Sequence, residues 1–322
     1  MATTALPVLA TEQPAPALPA ADIETAVRFA RNEKAPATRA AYRSDFAAFR
    51  VWCLAKGVDA LPAIPESVAA YLAREATDGA AASTITRRCA AIRYAHRLAN
   101  LEPPTSSECV RATLRGIRRT LGAAPARKSP ALAEMVRAMA LATPDSLKGL
   151  RDRSLLLLGF AGAFRRSELV ALDVGDLEET DEGIRVTIRR SKTDQEGQGQ
   201  TIAIVRGGAT CPVKAIKAWL AAAQITEGAL FRPVAKGGKL GSQRLTDKSV
   251  CDLVKAYASL VGLNATDFGA HSLRSGFLTS AARRGASVFK MRDVSRHKSM
   301  DVLQAYVRDA DLFRDHAGAG LL

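Results

Sequence analysis

The sequence predicts a mainly α-helical protein, an N-terminal four-helix unit followed by an α+β domain with a small antiparallel sheet. Three observations predict it. Apolar residues recur at helical spacing through most of the chain; a single stretch alternates apolar and polar residues instead; and a short segment with two prolines and no bulky apolar residue, 122–130, separates two parts each long enough to bury a core.

Residues 1–20 are dominated by Ala, Pro and Thr, with little charge or bulk. Such a composition buries too little apolar area to offset chain entropy, so 1–21 is expected to be a disordered leader. From Thr38 a helix is predicted, because Tyr42, Phe46, Phe49 and Cys53 fall on one stripe at 100° per residue, with Arg39, Arg43 and Arg50 on a neighbouring stripe. Pro65, a favoured first-turn residue, opens a second helix through Val68 and Leu72. A third runs from about Ser83 to Ala99, with Ile85, Cys89, Ile92 and His96 inward and Arg87, Arg93 and Arg97 turned away. The fourth, Ser107 to Leu121, sets Val110, Leu114, Ile117 and Leu121 against Arg111, Arg115, Arg118 and Arg119. Residues 22–121 thus form one unit, and 122–130 reads as a linker.

Beyond the linker, helices are expected near 131–142 and 149–161 and from about Ser167. Ile184, Val186 and Ile188 alternate with Arg185, Thr187 and Arg189, the pattern of a half-buried strand; Gly197 and Gly199 mark a turn, and Thr201 to Val205 returns. Helical patterns then follow at 212–223, 246–261, 271–284, 287–295 and 299–308.

Composition narrows the function classes. Forty-six Lys and Arg against thirty-two Asp and Glu leave +14. That excess favours a polyanion, either nucleic acid or an anionic membrane surface. It is shared by both parts: up to Pro125 there are sixteen basic and eleven acidic residues, and after it thirty and twenty-one. The apolar run Leu155 to Phe160 is far too short to span a bilayer, and residues 1–20 lack a basic segment followed by an apolar core, so a cytoplasmic protein without membrane attachment is expected. The five cysteines form no CxxC pair and have no histidine at zinc-finger spacing, which argues against a disulfide framework or structural zinc.

The chemistry-bearing residues lie in the second part. They are Gly162-Ala-Phe-Arg165-Arg166-Ser-Glu168-Leu169, then Ser191-Lys192-Thr193 just after the predicted strand, His271-Ser-Leu-Arg274, His297, and Tyr306 nine residues later. Taken singly, each has a plain structural explanation: a local ion pair, a loop lysine, a helix-start histidine, an amphipathic-helix tyrosine. Together they supply what transfer at a phosphodiester requires, a nucleophile, cations for the non-bridging oxygens, and proton donors and acceptors. No acidic cluster at metal-ligand spacing stands beside them, so no metal and no cofactor is expected. Guanidiniums hold phosphate oxygens in pairs and stay charged at any working pH. On a helix, positions 271 and 274 share a face.

In this order and spacing the segment 165–306 resembles the tyrosine site-specific recombinases, the phage integrase family, and the helical N-terminal part resembles it more loosely. The resemblance implies a DNA core-binding domain at 22–121 and a catalytic domain at 131–322. It implies that Tyr306 is the nucleophile, Arg165 and Arg274 the phosphate clamps, Lys192 the general acid for the 5′ oxygen, His271 a proton acceptor, His297 a phosphate hydrogen-bond donor, and Glu168 the residue that orients the arginines. The Arg-x-x-Glu register selects Arg165, with Arg166 as the alternative. Where the family often has glycine before the later histidine, this chain has Arg296, which would crowd the backbone or add a phosphate contact; the first box reads Ala-Gly-Ala-Phe-Arg rather than Thr-Gly-Leu-Arg.

The implied partner is double-stranded DNA bearing a specific, inverted-repeat site, bound by a homotetramer on the nucleoid. Arg39, Arg43, Arg50, Arg87, Arg93, Arg97 and Arg118 are candidate DNA contacts. Residues after Tyr306 would dock on a neighbouring subunit. Two other readings use the same residues: a type IB topoisomerase, with similar chemistry on one duplex, and a DNA-binding protein without strand-cleaving activity.

Overall fold

The computed structural model describes residues 19–31, 33–122, 128–189, 199–310 and 318–319. The chain divides into two compact units, Met1–Pro125 and Ala126–Leu322.

In the first unit the expected four helices are α2 (Pro36–Lys56), α3 (Pro65–Thr77), α4 (Ala82–Leu98) and α5 (Glu108–Leu121). They are preceded by a fifth helix not expected from the sequence, α1 (Ala20–Arg31). Its signal, Ile23, Val27 and Ala30 after Asp22, is real but short, and Ala20 and Ala21 of the expected leader belong to it. The rest of that leader, 1–18, lies outside the described residues. Local chemistry sets the ends: Pro36 and Pro65 open α2 and α3, Gly57 closes α2 at φ 67°, and the Ser107 hydroxyl accepts the Val110 N–H at the start of α5.

The core of this unit contains Phe49, Cys53, Val68, Tyr71, Leu72, Ile85, Cys89, Ile92, Val110 and Ile117. Tyr42 stays half-buried against Tyr94, and Leu121 is exposed because the last turn of α5 runs past the core. His96 is fully buried with both ring nitrogens engaged: Nε2 accepts the Ala63 N–H at 2.9 Å, which leaves Nδ1 to donate to the Ile92 carbonyl at 2.9 Å.

The second unit begins with α6 (Ala133–Leu141), α7 (Leu147–Ala161) and α8 (Arg166–Ala171). A three-stranded antiparallel sheet follows in the order β1 (Leu177–Glu179), β2 (Gly183–Ile188), β3 (Gln200–Val205). The register pairs Gly183 with Val205 and Ile188 with Gln200, burying Ile184, Val186 and Ile188 while Arg185 and Thr187 face out, as the alternation predicts. β1 pairs Leu177 with Val186; its three residues are too few and too acidic to carry a strand pattern of their own. Helices α9 (Pro212–Ala223), α10 (Asp247–Leu260), α11 (Ala270–Arg283), α12 (Val288–Ser295) and α13 (Met300–Ala310) complete the unit.

Its main core is centred on α7, whose Leu155, Leu156 and Leu158 are fully buried, together with Trp219 of α9, which donates its indole N–H to the Leu230 carbonyl at 2.8 Å. A separate small cluster, Leu278, Ala282, Met291 and Leu303, seats α12 and α13 on α11. Among the described residues no helix is long and apolar enough to cross a membrane.

Candidate active site

Helix α7 ends at Gly162, and the chain turns sharply into α8. A Cβ at Gly162 would lie 2.1 Å from the buried Phe164 ring, and Ala163 takes φ 44°, so this turn is held in a conformation that few residues adopt. Arg165 caps α8. Its N–H donates to Glu168 Oε2 at 3.0 Å and its Nη1 donates to Oε1 at 2.5 Å. Glu168 is buried, and Oε2 also accepts from Arg296 Nη2 at 2.9 Å. Burial alone would push this carboxyl up; Arg296, then the N–H and guanidinium of Arg165, more than reverse that and hold it below the usual carboxylate range.

From α11, the Arg274 guanidinium donates through Nη1 to the Ala163 carbonyl at 2.5 Å, and its Nη2 lies 3.3 Å from both ring nitrogens of His297. Arg274 is 4% exposed. Burial, followed by the neighbouring Arg165 and Arg296, brings its pKa down to about 9, which still leaves it cationic at neutral pH. His297 follows the end of α12, with Ser295 Oγ 2.8 Å from Nδ1. Burial first, then Arg274, Arg165, Arg296 and His271, push its imidazole down to about 4, so it is neutral at pH 7. When the Ser295 hydroxyl donates to Nδ1, Nε2–H remains for an acceptor.

Tyr306, on α13, is half-buried against the small cluster and lies within electrostatic range of Arg274. His271 lies in the first turn of α11, exposed, one helical turn before Arg274 and within electrostatic range of His297. The pocket therefore brings together Arg165, Glu168, Arg274 and His297, with His271 and Tyr306 at its margin. Arg166 is directed elsewhere, to Asp247 of α10 at 3.0 Å. Lys192 lies outside the described residues; just before it, Arg189 ties the end of β2 to Asp173 and Asp176.

Arg296, for which the sequence left crowding of the backbone or a phosphate contact open, takes the left-handed conformation with its side chain 5% exposed and bonded to Glu168. Its signal was the departure from glycine itself.

With three guanidiniums around one carboxylate, the pocket keeps a positive excess in a low-dielectric setting, and an oxyanion is the ligand that balances it. Among the described residues, no three His, Cys, Asp or Glu side chains are grouped so as to hold a metal ion.

The arginines of the first unit differ in engagement. Arg87 forms two hydrogen bonds to the buried Asp45 (2.7 and 3.1 Å), Arg93 bonds Thr105, and Arg118 bonds Thr86. Arg39, Arg43, Arg50 and Arg97 have no side-chain hydrogen bond or ion pair with a described residue, and the last three are exposed.

Comparison with known proteins gives a consistent picture. The model of the Phage integrase family matches residues 132–312. An integrase/recombinase xerD homolog of Selenomonas ruminantium is 40% identical over 298 residues, covering 91% of this chain and 87% of its own length. The recombinase cre of Escherichia phage P1 is 24% identical, covering 81% and 80%. In fold, the chain is similar to a lambda integrase dimer bound to a COC' core site, with TM-score 0.60, 18% identity and coverage of 92% and 96%. It is likewise similar to XerH site-specific recombinase in a post-cleavage complex with palindromic difH substrate, with TM-score 0.59, 17% identity and coverage of 83% and 73%.

Proposed function

Because the chain belongs to the phage integrase family, the tyrosine site-specific recombinases, we propose that it cuts and rejoins DNA strands at a specific site through a 3′-phosphotyrosyl intermediate on Tyr306. The observation that carries this reading is the convergence of Arg165, Arg274 and a neutral His297 on one pocket beside Tyr306.

In the proposed step the Tyr306 hydroxyl oxygen bonds to phosphorus and the bond from phosphorus to the 5′ oxygen breaks. His271 takes the tyrosine proton and Lys192 gives one to the departing 5′ oxygen. Arg165, Arg274 and His297 stabilise the charge that grows on the non-bridging oxygens. Glu168 holds the guanidinium of Arg165 in place. The phosphotyrosyl bond conserves the energy of the phosphodiester, so a 5′ hydroxyl from a partner duplex reverses the step without ATP. The positive charge of the pocket, supplied by arginines, does the work that a divalent cation does in many nucleases.

The partner is double-stranded DNA with inverted half-sites, bound by four copies on two sites, and the protein acts in the cytoplasm on the nucleoid. The segment 311–322, most of it outside the described residues, docks on a neighbouring copy. Arg39, Arg43, Arg50 and Arg97, unengaged among the described residues, are the DNA contacts this reading favours, ahead of Arg87, Arg93 and Arg118.

The test is a nicked duplex carrying a site selected by binding from random sequence, on which cleavage traps the covalent adduct. The native chain is expected to form the adduct, and Tyr306→Phe to bind the duplex equally and form none. An adduct that persists in the variant refutes the assignment of Tyr306. Relaxation of a plasmid lacking the site would favour a topoisomerase instead.

A further inference from the structure

Arg296 has an unusual situation for a surface-forming residue type. It takes the left-handed conformation, φ 59° and ψ 39°, which disfavours any residue with a Cβ, and it closes α12. Its side chain nevertheless runs inward. Nη1 donates to the carbonyls of Gly162 (3.0 Å) and Val294; Nη2 donates to the Ala163 carbonyl (3.2 Å) and to Glu168 Oε2 (2.9 Å). The guanidinium carbon lies 5.1 Å from the centre of the Phe164 ring. Of the five N–H donors of an arginine, the four on Nη1 and Nη2 are thus matched by four acceptors, and the fifth, on Nε, is buried without a partner. The one unmatched donor, Nε–H, is shut away from solvent, so no exposed donor faces a phosphate.

The acceptors are not random. Ala163 O is also the acceptor for Arg274, and Glu168 is also the partner of Arg165. On its own side, Arg296 directly precedes His297 and leads into the helix that carries Tyr306. That helix pair, α12 and α13, rests on a small cluster separate from the main core, so little apolar burial holds it. A buried polar bridge from its base to the Gly162–Glu168 turn then has a disproportionate effect on where His297 and Tyr306 stand.

We infer that Arg296 is a positioning residue, a clasp that fixes the segment bearing His297 and Tyr306 to the turn bearing Arg165 and Glu168, and that it takes no phosphate itself. The inference rests on the proposed strand-transfer reaction for its consequence, while the clasp is testable without it. Arg296→Met keeps much of the volume and removes the charge and donors; Arg296→Lys keeps the charge and one short reach to Glu168.

Two measurements on the full chain decide the matter. Hydrogen exchange read peptide by peptide is expected to rise in Arg296→Met over 288–310 and not over α7 or α9, with Arg296→Lys between Met and the native chain. On the selected nicked duplex, Arg296→Met is expected to slow adduct formation by about a hundred-fold, as ångström-scale misplacement of a reacting group does. Its affinity for the same duplex and the dependence of that affinity on salt should be unchanged, and Arg296→Lys should recover part of the rate.

Native-rate adduct formation by Arg296→Met overturns the inference. So does a salt slope reduced by about one, which marks a lost phosphate contact. Equal rates for Met and Lys with exchange raised throughout the second unit would reduce Arg296 to a general packing residue and also overturn it. If the native chain forms no adduct but the local exchange pattern appears, the clasp stands and the strand-transfer reading fails.

Discussion

His297 couples the pocket to stability in a way that pH exposes. Its imidazole titrates at about 4 in the folded protein, because it is half-buried beside Arg274, Arg165, Arg296 and His271, against an ordinary value of 6.5. Between those values the unfolded chain holds more protons than the folded one, so stability is fully present above pH 6.5, falls as pH drops, and levels off below 4. At pH 7.5 the ring is neutral in both states. At pH 5 the unfolded ring is almost fully protonated and the folded ring about one-tenth so, and the linkage relation then gives a loss of about 2 kcal/mol. Glu168, with its depressed carboxyl, adds a loss only at more acidic pH, as protons reach that carboxylate.

The assay is urea unfolding at pH 7.5 and pH 5, in a Trp52→Phe background. Trp219, fully buried in the second unit, then reports on that unit alone. The native pocket is compared with His297→Gln, which keeps a polar side chain near Ser295 Oγ but cannot titrate. The stability difference between the two pH values should be about 2 kcal/mol larger with His297 present than in the His297→Gln variant, which lacks the titrating ring. Equal losses in the two proteins would refute the argument, since they would mean that His297 protonates as easily folded as unfolded.

Three further outcomes follow from the same contacts. Glu168→Gln leaves Arg165 and Arg296 without their shared carboxylate and should destabilise the second unit by about 3 to 5 kcal/mol in urea unfolding, the usual cost of breaking a buried ion pair from one side. Gly276→Ala would set a Cβ 1.8 Å from the Ala131 carbonyl oxygen, backbone against backbone, and should lower stability by about 1 to 3 kcal/mol by the same measurement. Arg87→Ala strips a partner from the buried Asp45 and should lower the melting temperature of the first unit, whereas Arg97→Ala should leave melting unchanged and reduce the salt slope of DNA binding by about one.

Much of the architecture was legible because it rests on local periodicity. The stripe through Phe49 and Cys53, the alternation at Ile184, Val186 and Ile188, and the prolines at 36 and 65 each act within a few residues, and the helices and hairpin follow from them. Where local signal is thin, the reading failed: α1 carries too few apolar residues to stand out, and β1 exists because β2 offers it an edge. The Arg165 or Arg166 ambiguity was of the same kind. Adjacent residues at a helix start differ by about 100° in direction, and only the Gly162 turn and Asp247 set one toward Glu168 and the other away.

The sequence by itself determined the family, the residue types available for phosphate chemistry and their order along the chain, since these depend on composition and spacing alone. Only the tertiary structure decided how they meet. Residues 165, 168, 274, 296 and 297 converge through the turn after α7, the face of α11 and the end of α12. That convergence buries charges together, and burial is what lowers the His297 and Arg274 pKa values and turns Arg296 inward. Desolvation and Coulomb interaction depend on distance in space, so a position that looked like a departure in sequence becomes, in the folded chain, the bridge across the pocket.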